Sequence, residues 1–371
     1  MRIGFDAKRA FFNNTGLGNY SRNTIRQLLR YFPENEYRLF VPSKKTRIPF
    51  SHEPASCVYP DSFTGKNFPS YWRSFLINSQ ISKENLTVYH GLSNELPFGI
   101  TRQKCKKIVT IHDLIFLRYP ALYKPADRKI YLKKFSYAAH NADVVIAVSE
   151  QTKRDIAEML NVPGEKIKVV YQGCNSVFFE ECPQELLQKA ISNYQLPEDF
   201  ILYVGTIEER KNLLALIKAI HESKIELPLV AIGRKTEYFT QIEEYIASAG
   251  EELKKKIIFI DNLPNEMLRA FYKLARLFVY PSVFEGFGIP ILEALASGTP
   301  VVTSKGGCFA EAGGKGALYA NPANPAEIAE MINTALYNED VRNNLIAGAR
   351  EHSTRFTDEK VAQELMKVYR G

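Results

Sequence analysis

The stretch "YPSVFEGFGIPILEALASGTPVV", residues 280–302, sets two carboxylates, Glu285 and Glu293, eight residues apart with Gly286 and Gly288 between them. Glycines at those places let a backbone approach a ligand closely and turn its N–H groups outward. Pro290 suits the first turn of a helix, which the pattern predicts over 289–297, because its missing N–H costs nothing there. A helix N-terminus of this kind is an anion site suited to a phosphate or diphosphate. Eight helical residues rise about 12 Å, comparable to a diphosphate with a sugar ring at each end, and carboxylates accept hydrogen bonds from sugar hydroxyls. The chemistry this suggests is the handling of a nucleotide diphosphate sugar: ribose on one glutamate, diphosphate on the glycine turn, the second sugar on the other glutamate. Two surface glutamates flanking a tight turn are the plain alternative.

Other residues fit the same chemistry. In "YVGTIEERKNL" (203–213), Arg210 and Lys211 follow a strand, where paired cations neutralise a leaving diphosphate; a solvated basic turn is the alternative. "IVTIHD" ends a strand on His112 and Asp113, with Asp113 either orienting the imidazole or stabilising the next turn. Gly16 and Gly18 lie in "NNTGLGNY", a loop that would approach a diphosphate or an acceptor unless it is an ordinary turn. "GGKG" (313–316) lacks the Ser or Thr of a phosphate-binding P-loop. The sequence holds no D-x-D, and its five cysteines (57, 105, 174, 182, 308) are never in C-x-x-C spacing. No metal, structural zinc or disulfide framework is expected.

The elements that must carry these residues read as short β-branched runs alternating with amphipathic stretches. The first half holds runs at 2–6, 37–41, 86–90, 107–113, 143–149 and 167–171; the second at 200–205, 228–233, 256–261, 276–281 and 299–304. They are continuously apolar, as parallel strands buried on both faces are. The grammar predicts an α/β chain of two doubly wound domains, which its 371 residues also favour. Residues 173–197 read as the connection between them. Charge is uneven: residues 1–175 carry 27 Lys and Arg against 14 Asp and Glu, or +13, and the remainder carries −6. The basic half attracts anions such as a membrane surface or a phosphorylated acceptor. No helix-turn-helix, RNP or zinc-finger pattern accompanies the charge, so nucleic acid is not an expected partner. Without an apolar run of membrane-spanning length or a leader pattern, the expected place is the cytoplasm.

In sequence order, "IGFDAKRAFFNNTGLGNYSRN", "TIHDLIFLRYP", "AVSEQTKRDI", "YVGTIEERKNL" and "FEGFGIPILEALASGTPVV" with its E-x7-E spacing resemble the retaining glycosyltransferases of family 4 across essentially the whole chain. The resemblance implies the GT-B fold: two Rossmann-like domains facing a cleft, with a C-terminal helix crossing back to the first. It implies an acceptor-binding domain over 1–175, a donor-binding domain over 176–355 and the returning helix over 356–371. It further implies roles. Glu293 would hold the ribose hydroxyls and Glu285 the transferred sugar. Gly286, Phe287 and Gly288 would offer backbone N–H groups, and Arg210 and Lys211 would stabilise the leaving diphosphate. His112 would reach the donor sugar, and Gly16, Gly18 and Gly205 would line the donor. The implied reaction is metal-independent and needs no cofactor. It is hexose transfer, mannose first, from a nucleotide diphosphate sugar to a glycan or lipid-linked acceptor in surface-polysaccharide assembly, at the inner membrane face. The sequence departs from the family around "CFAEAGGKGALYANP", where Lys315 replaces a frequent Asp, and at Asn19, which replaces a frequent Arg. A nucleotide-sugar epimerase or phosphorylase on the same plan, or a non-catalytic sugar-binding protein, are the competing readings.

Overall fold

A computed structural model describes residues 1–261 and 263–371. They divide into two compact units, one of Met1–Gly173 with Asp358–Gly371, the other of Cys174–Thr357.

The first unit is built on seven strands: β1 Arg2–Asp6, β2 Glu36–Phe40, β3 Ser56–Val58, β4 Val88–Gly91, β5 Lys106–Ile111, β6 Val144–Ala147 and β7 Ile167–Val169. They pair in parallel in the order β3-β2-β1-β4-β5-β6-β7. The second holds β8 Ile201–Val204, β9 Leu229–Ile232, β10 Ile257–Ile260, β11 Leu277–Tyr280, β12 Val301–Ser304 and β13 Ala317–Ala320, in the order β10-β9-β8-β11-β12-β13, again parallel. Central strands such as β9 and β11 are buried along their whole length, which explains their unbroken apolar sequence.

Two strands escaped the sequence reading. β3 ("SCV") and β13 ("ALYA") are sheet edges with partly exposed residues, so neither needs an apolar run. β13 therefore occupies part of the segment 308–322 that reads as loop. A second correction concerns 173–197. It is no free connection: Gln184–Tyr194 is a helix of the second unit, packed on the helix Asn265–Leu274 with Tyr194 and Phe271 edge-on at 5.2 Å.

The C-terminal helix Asp358–Arg370 buries Val361, Ala362, Leu365, Met366 and Tyr369 in the core of the first unit, against the helix Gly16–Tyr31. Its sequence spacing sets those side chains on one stripe. Among the described residues no helix is long and apolar enough to cross a membrane.

Each sheet reverses its strand order once, between β1 and β4 in the first unit and between β8 and β11 in the second. In open parallel sheets the crevice outside the carboxyl ends of the strands at such a reversal is where ligands bind.

Candidate active site

At the reversal of the second sheet, β8 ends at Val204 and leads through Gly205 into a 3₁₀ turn, Glu209–Lys211. Asn212, in the left-handed conformation with φ of +58°, ties that turn down by donating to the carbonyls of Pro281 at 3.1 Å and Pro322 at 2.7 Å. β11 ends alongside at Tyr280, and the chain continues through Ser282 to Glu285. The Arg210 carbonyl accepts from the Val283 amide at 2.8 Å and the Ser282 hydroxyl at 3.1 Å, so the two segments are stitched together by backbone.

Glu285 is the centre of the cluster. Its Oε1 lies 2.7 Å from Arg210 Nη1 and 2.7 Å from Lys211 Nζ, and it accepts from the Tyr280 hydroxyl at 3.0 Å and the Ser282 hydroxyl at 2.7 Å. Arg210 also donates to the Phe284 carbonyl at 2.5 Å and to Glu208 at 2.6 Å, and Lys211 donates to the Tyr280 hydroxyl. Burial alone would raise the Glu285 carboxyl, but Lys211 and Arg210 outweigh it and pull it down to about 2. Burial opposes the charge on Arg210, yet Glu285 and Glu208 hold it firmly protonated. The site is thus a pre-formed, charge-balanced network of ionised groups in a poorly solvated edge, the setting in which fixed charges act strongly on a reacting anion.

Gly288, with φ of +118°, caps the helix Ile289–Ala296, and Pro290 occupies its first turn. No side chain caps this helix and no acidic residue sits in its first turn, features that favour an anion at its N-terminus. Phe287 points its ring into the core, 5.6 Å from Phe356, which leaves only its backbone for a ligand. Glu293 accepts from the buried Tyr272 hydroxyl at 2.9 Å. Among the described residues no cation forms an ion pair with it, so burial pushes its carboxyl up to about 7, only partly offset by that hydrogen bond. Two glutamates eight residues apart therefore stand on opposite sides of their ordinary value. Tyr272, Tyr280, Ser282 and Asn212 were not picked out from the sequence, although Tyr280 and Ser282 lie inside the stretch that carries Glu285.

The remaining candidates lie in the first unit. His112 follows β5 and is buried. Its Nε2 donates to the Leu92 carbonyl at 2.9 Å, its Nδ1 accepts from Gln172 at 3.0 Å, and its ring meets Tyr20 edge-on at 4.5 Å. Burial drives it down to about 4, so the ring is neutral at pH 7 with one fixed tautomer. Asp113 accepts the Ile115 amide at 3.1 Å, as a turn-stabilising residue does. Gly16 and Gly18 are not on a loop, as the sequence suggested, but in the first turn of the helix Gly16–Tyr31. A Cβ at Gly18 would lie 1.7 Å from the Asn13 carbonyl oxygen, whereas one at Gly16 would meet nothing within 4 Å. Gly18 is required by packing; Gly16 faces open space. Asn19 accepts from Arg22 at 2.5 Å.

Residues 16–177 match the model described as Glycosyltransferase Family 4, and residues 186–352 that described as Glycosyl transferases group 1. The chain is 30% identical over 292 residues to O-antigen chain mannosyltransferase B of Escherichia coli, covering 76% of this chain and 74% of that protein. It is 32% identical over 215 residues to O-antigen chain mannosyltransferase RfbU of Salmonella typhimurium, covering 58% and 56%. Among solved structures it is similar to sucrose-phosphate synthase from Thermosynechococcus elongatus, with a TM-score of 0.80 at 21% identity over 100% of this chain and 98% of that one. It is also similar to HepE of Anabaena in complex with UDP, with a TM-score of 0.75 at 16% identity over 99% of both chains.

Proposed function

The chain belongs to the family 4 glycosyltransferases, and from that premise we propose that it moves a hexose, mannose before others, from a nucleotide diphosphate sugar to a hydroxyl of a glycan or lipid-linked acceptor in surface-polysaccharide assembly. The observation that carries this reading is the convergence of Arg210, Lys211, Tyr280 and Ser282 on one oxygen of Glu285, beside the glycine turn that leads into the helix Ile289–Ala296. The O-antigen mannosyltransferases among the relatives support mannose as the first sugar, for which GDP is the carrier proposed here. The UDP bound by HepE supports a UDP-hexose as the second.

In this reading the diphosphate lies against the glycine turn and the two cations. Glu293 takes the ribose hydroxyls, and Glu285, ionised and immobile, takes hydroxyls of the transferred hexose. Transfer retains the anomeric configuration. The bond from C1 to the phosphate oxygen breaks as the acceptor oxygen bonds to C1 on the same face, and the acceptor proton passes to the departing phosphate. Arg210 and Lys211 stabilise the charge that develops there, the part a metal ion would otherwise play. His112, neutral and with both nitrogens engaged, acts as a positioning residue rather than a proton donor.

A cytoplasmic place at an anionic membrane surface belongs to the same proposal. Phe63, Phe68, Tyr71 and Phe75 are exposed in the first unit, and Ile130, Tyr131 and Leu132 are exposed on the helix Pro125–Asn141 beside exposed Lys129 and Lys133. Aromatic and aliphatic side chains among lysines suit an interface with anionic lipid. Phe116 and Phe135, also aromatic in this stretch, belong instead to the core. Co-sedimentation with vesicles containing phosphatidylglycerol, lost at high salt, is the expected result; equal binding to neutral vesicles would count against it.

The donor reading is tested by melting the protein against GDP, UDP, GDP-mannose and UDP-glucose. A saturating ligand specific to the native state adds about 2 to 4 kcal/mol. One nucleotide series should stabilise the wild type and do so far less in Glu293→Ala. If no nucleotide shifts the transition, the assignment of the second unit to the donor is wrong.

A further inference from the structure

The carboxyl edge of the first sheet carries charges that the Glu285 cluster does not use. Its strand order reverses between β1 and β4; Asp6 ends β1, Lys8 and Arg9 open the short helix Lys8–Phe12 that follows it, and Ser93 and Glu95 lie on the segment leaving β4. Both carboxylates are already engaged. Buried Arg73 lies 2.6 Å from Asp6 Oδ2 and 2.6 Å from Glu95 Oε2, and Lys134 reaches the same Glu95 oxygen at 3.3 Å. Asp6 and Glu95 thereby balance Arg73 and Lys134, and the formal charges of Lys8 and Arg9 remain in excess of that balance.

Neither Lys8 nor Arg9 has an ion-pair partner among the described residues, and both side chains are half-buried. Arg9 Nε is shut off from solvent with no hydrogen-bond partner, as is the Ser93 hydroxyl. Burial, with Arg73 next, draws Lys8 below the ordinary lysine range although Asp6 and Glu95 pull the other way. Arg9 stands near enough to His112 to weigh against its protonation. Holding two cations partly out of water without an ion-pair partner of their own is unfavourable, and at a strand-order reversal the natural counter-charge is that of a ligand.

We propose that Lys8 and Arg9 form an anion subsite in the first unit that receives a phosphoryl group of the acceptor. The guanidinium presents a planar fork to two phosphate oxygens and the ammonium adds a compact charge beside it. The proposal rests on the transferase reading above, in which the second unit holds the diphosphate of the donor.

The test is calorimetric titration of inorganic pyrophosphate into the full chain already saturated with GDP or UDP, whichever binds more tightly. Wild type should take up one further pyrophosphate per chain. Lys8→Gln and Arg9→Gln should each weaken that uptake at least tenfold, with nucleotide affinity within twofold of wild type and an unchanged melting temperature, and Arg9→Lys should recover part of it. The proposal is overturned if wild type takes up no further pyrophosphate, or if the glutamine variants bind it as tightly as wild type. It is overturned equally if the same variants lose nucleotide affinity in step, since the anion is then that of the donor. Should neither nucleotide bind while the variants still lose pyrophosphate, the subsite stands and the donor assignment falls.

Discussion

The Tyr369 hydroxyl lies 2.7 Å from His90 Nδ1, joining the last helix to β4 across 279 residues of sequence. His90 Nε2 meets the Thr110 hydroxyl at 2.8 Å, and Thr110 meets the Tyr20 hydroxyl at 3.0 Å. Helix, two strands and a second helix are thus linked by one buried polar chain, in which burial holds His90 down to about 3 and keeps its ring neutral. Removing one member leaves the next unsatisfied in a low-dielectric interior. Tyr369→Phe is expected to destabilise the protein by about 1 to 3 kcal/mol in urea unfolding. A loss indistinguishable from zero would mean that the helix is held by its apolar stripe alone.

Glu293 predicts a pH dependence that Glu285 does not. Its carboxyl is raised by burial from the ordinary range to about 7, so folding stability is full below the unfolded value and is lost as pH rises through 7. The unliganded wild type should be less stable at pH 8 than at pH 5 by roughly 2 to 3 kcal/mol on this account. Glu293→Gln, which can still accept from Tyr272, should remove most of that slope. Nucleotide binding should run the other way, tightening as pH passes from 6 to 8 because the ionised carboxylate is the better acceptor for ribose hydroxyls. Parallel slopes for wild type and variant in both measurements would contradict this assignment.

Glu285→Gln should be costly in two independent ways. Arg210 and Lys211 would lose their shared counter-ion in a buried place, a change worth about 3 to 5 kcal/mol for a fully buried pair and somewhat less here. Turnover should fall by about 10²- to 10³-fold, and Lys211→Ala should produce a loss of similar size with a smaller effect on folding. Because the Glu285 carboxyl is drawn down to about 2, its ionisation should leave no step in the rate profile above pH 4. A titration near pH 5 that vanishes in Glu285→Gln would show that the cations do not hold it ionised.

The two glycines of the first helix should part company. Gly18→Ala would force a methyl group to within 1.7 Å of the Asn13 carbonyl oxygen and is expected to cost about 2 kcal/mol or more. Gly16→Ala meets open space and should lie within about 0.5 kcal/mol of wild type while lowering transfer activity if the donor or acceptor approaches there. Thermal melts and a transfer assay on the pair separate packing from ligand approach. Equal melting temperatures for the two variants would remove the steric account of Gly18.

What the sequence by itself determined were features written in local order. Unbroken apolar runs can be buried only in sheets covered on both faces, so two doubly wound units were readable from β6, β8, β9 and β11. Glycine 288, Pro290 and the apolar run behind them define a helix start through backbone geometry alone, and Val361, Leu365, Met366 and Tyr369 define a stripe through the 3.6-residue period. Only the tertiary structure decided matters that depend on what comes to lie beside what. β3 and β13 exist because a neighbouring strand offers its free edge, whatever the polarity of "SCV" and "ALYA". Glu285 and Glu293 are the same residue in the same motif. One is ionised by Arg210 and Lys211, which arrive from the turn after β8, and the other is held near pH 7 by burial against Tyr272. Charge state is set by the electrostatic surroundings of an atom, and those surroundings are assembled from distant parts of the chain.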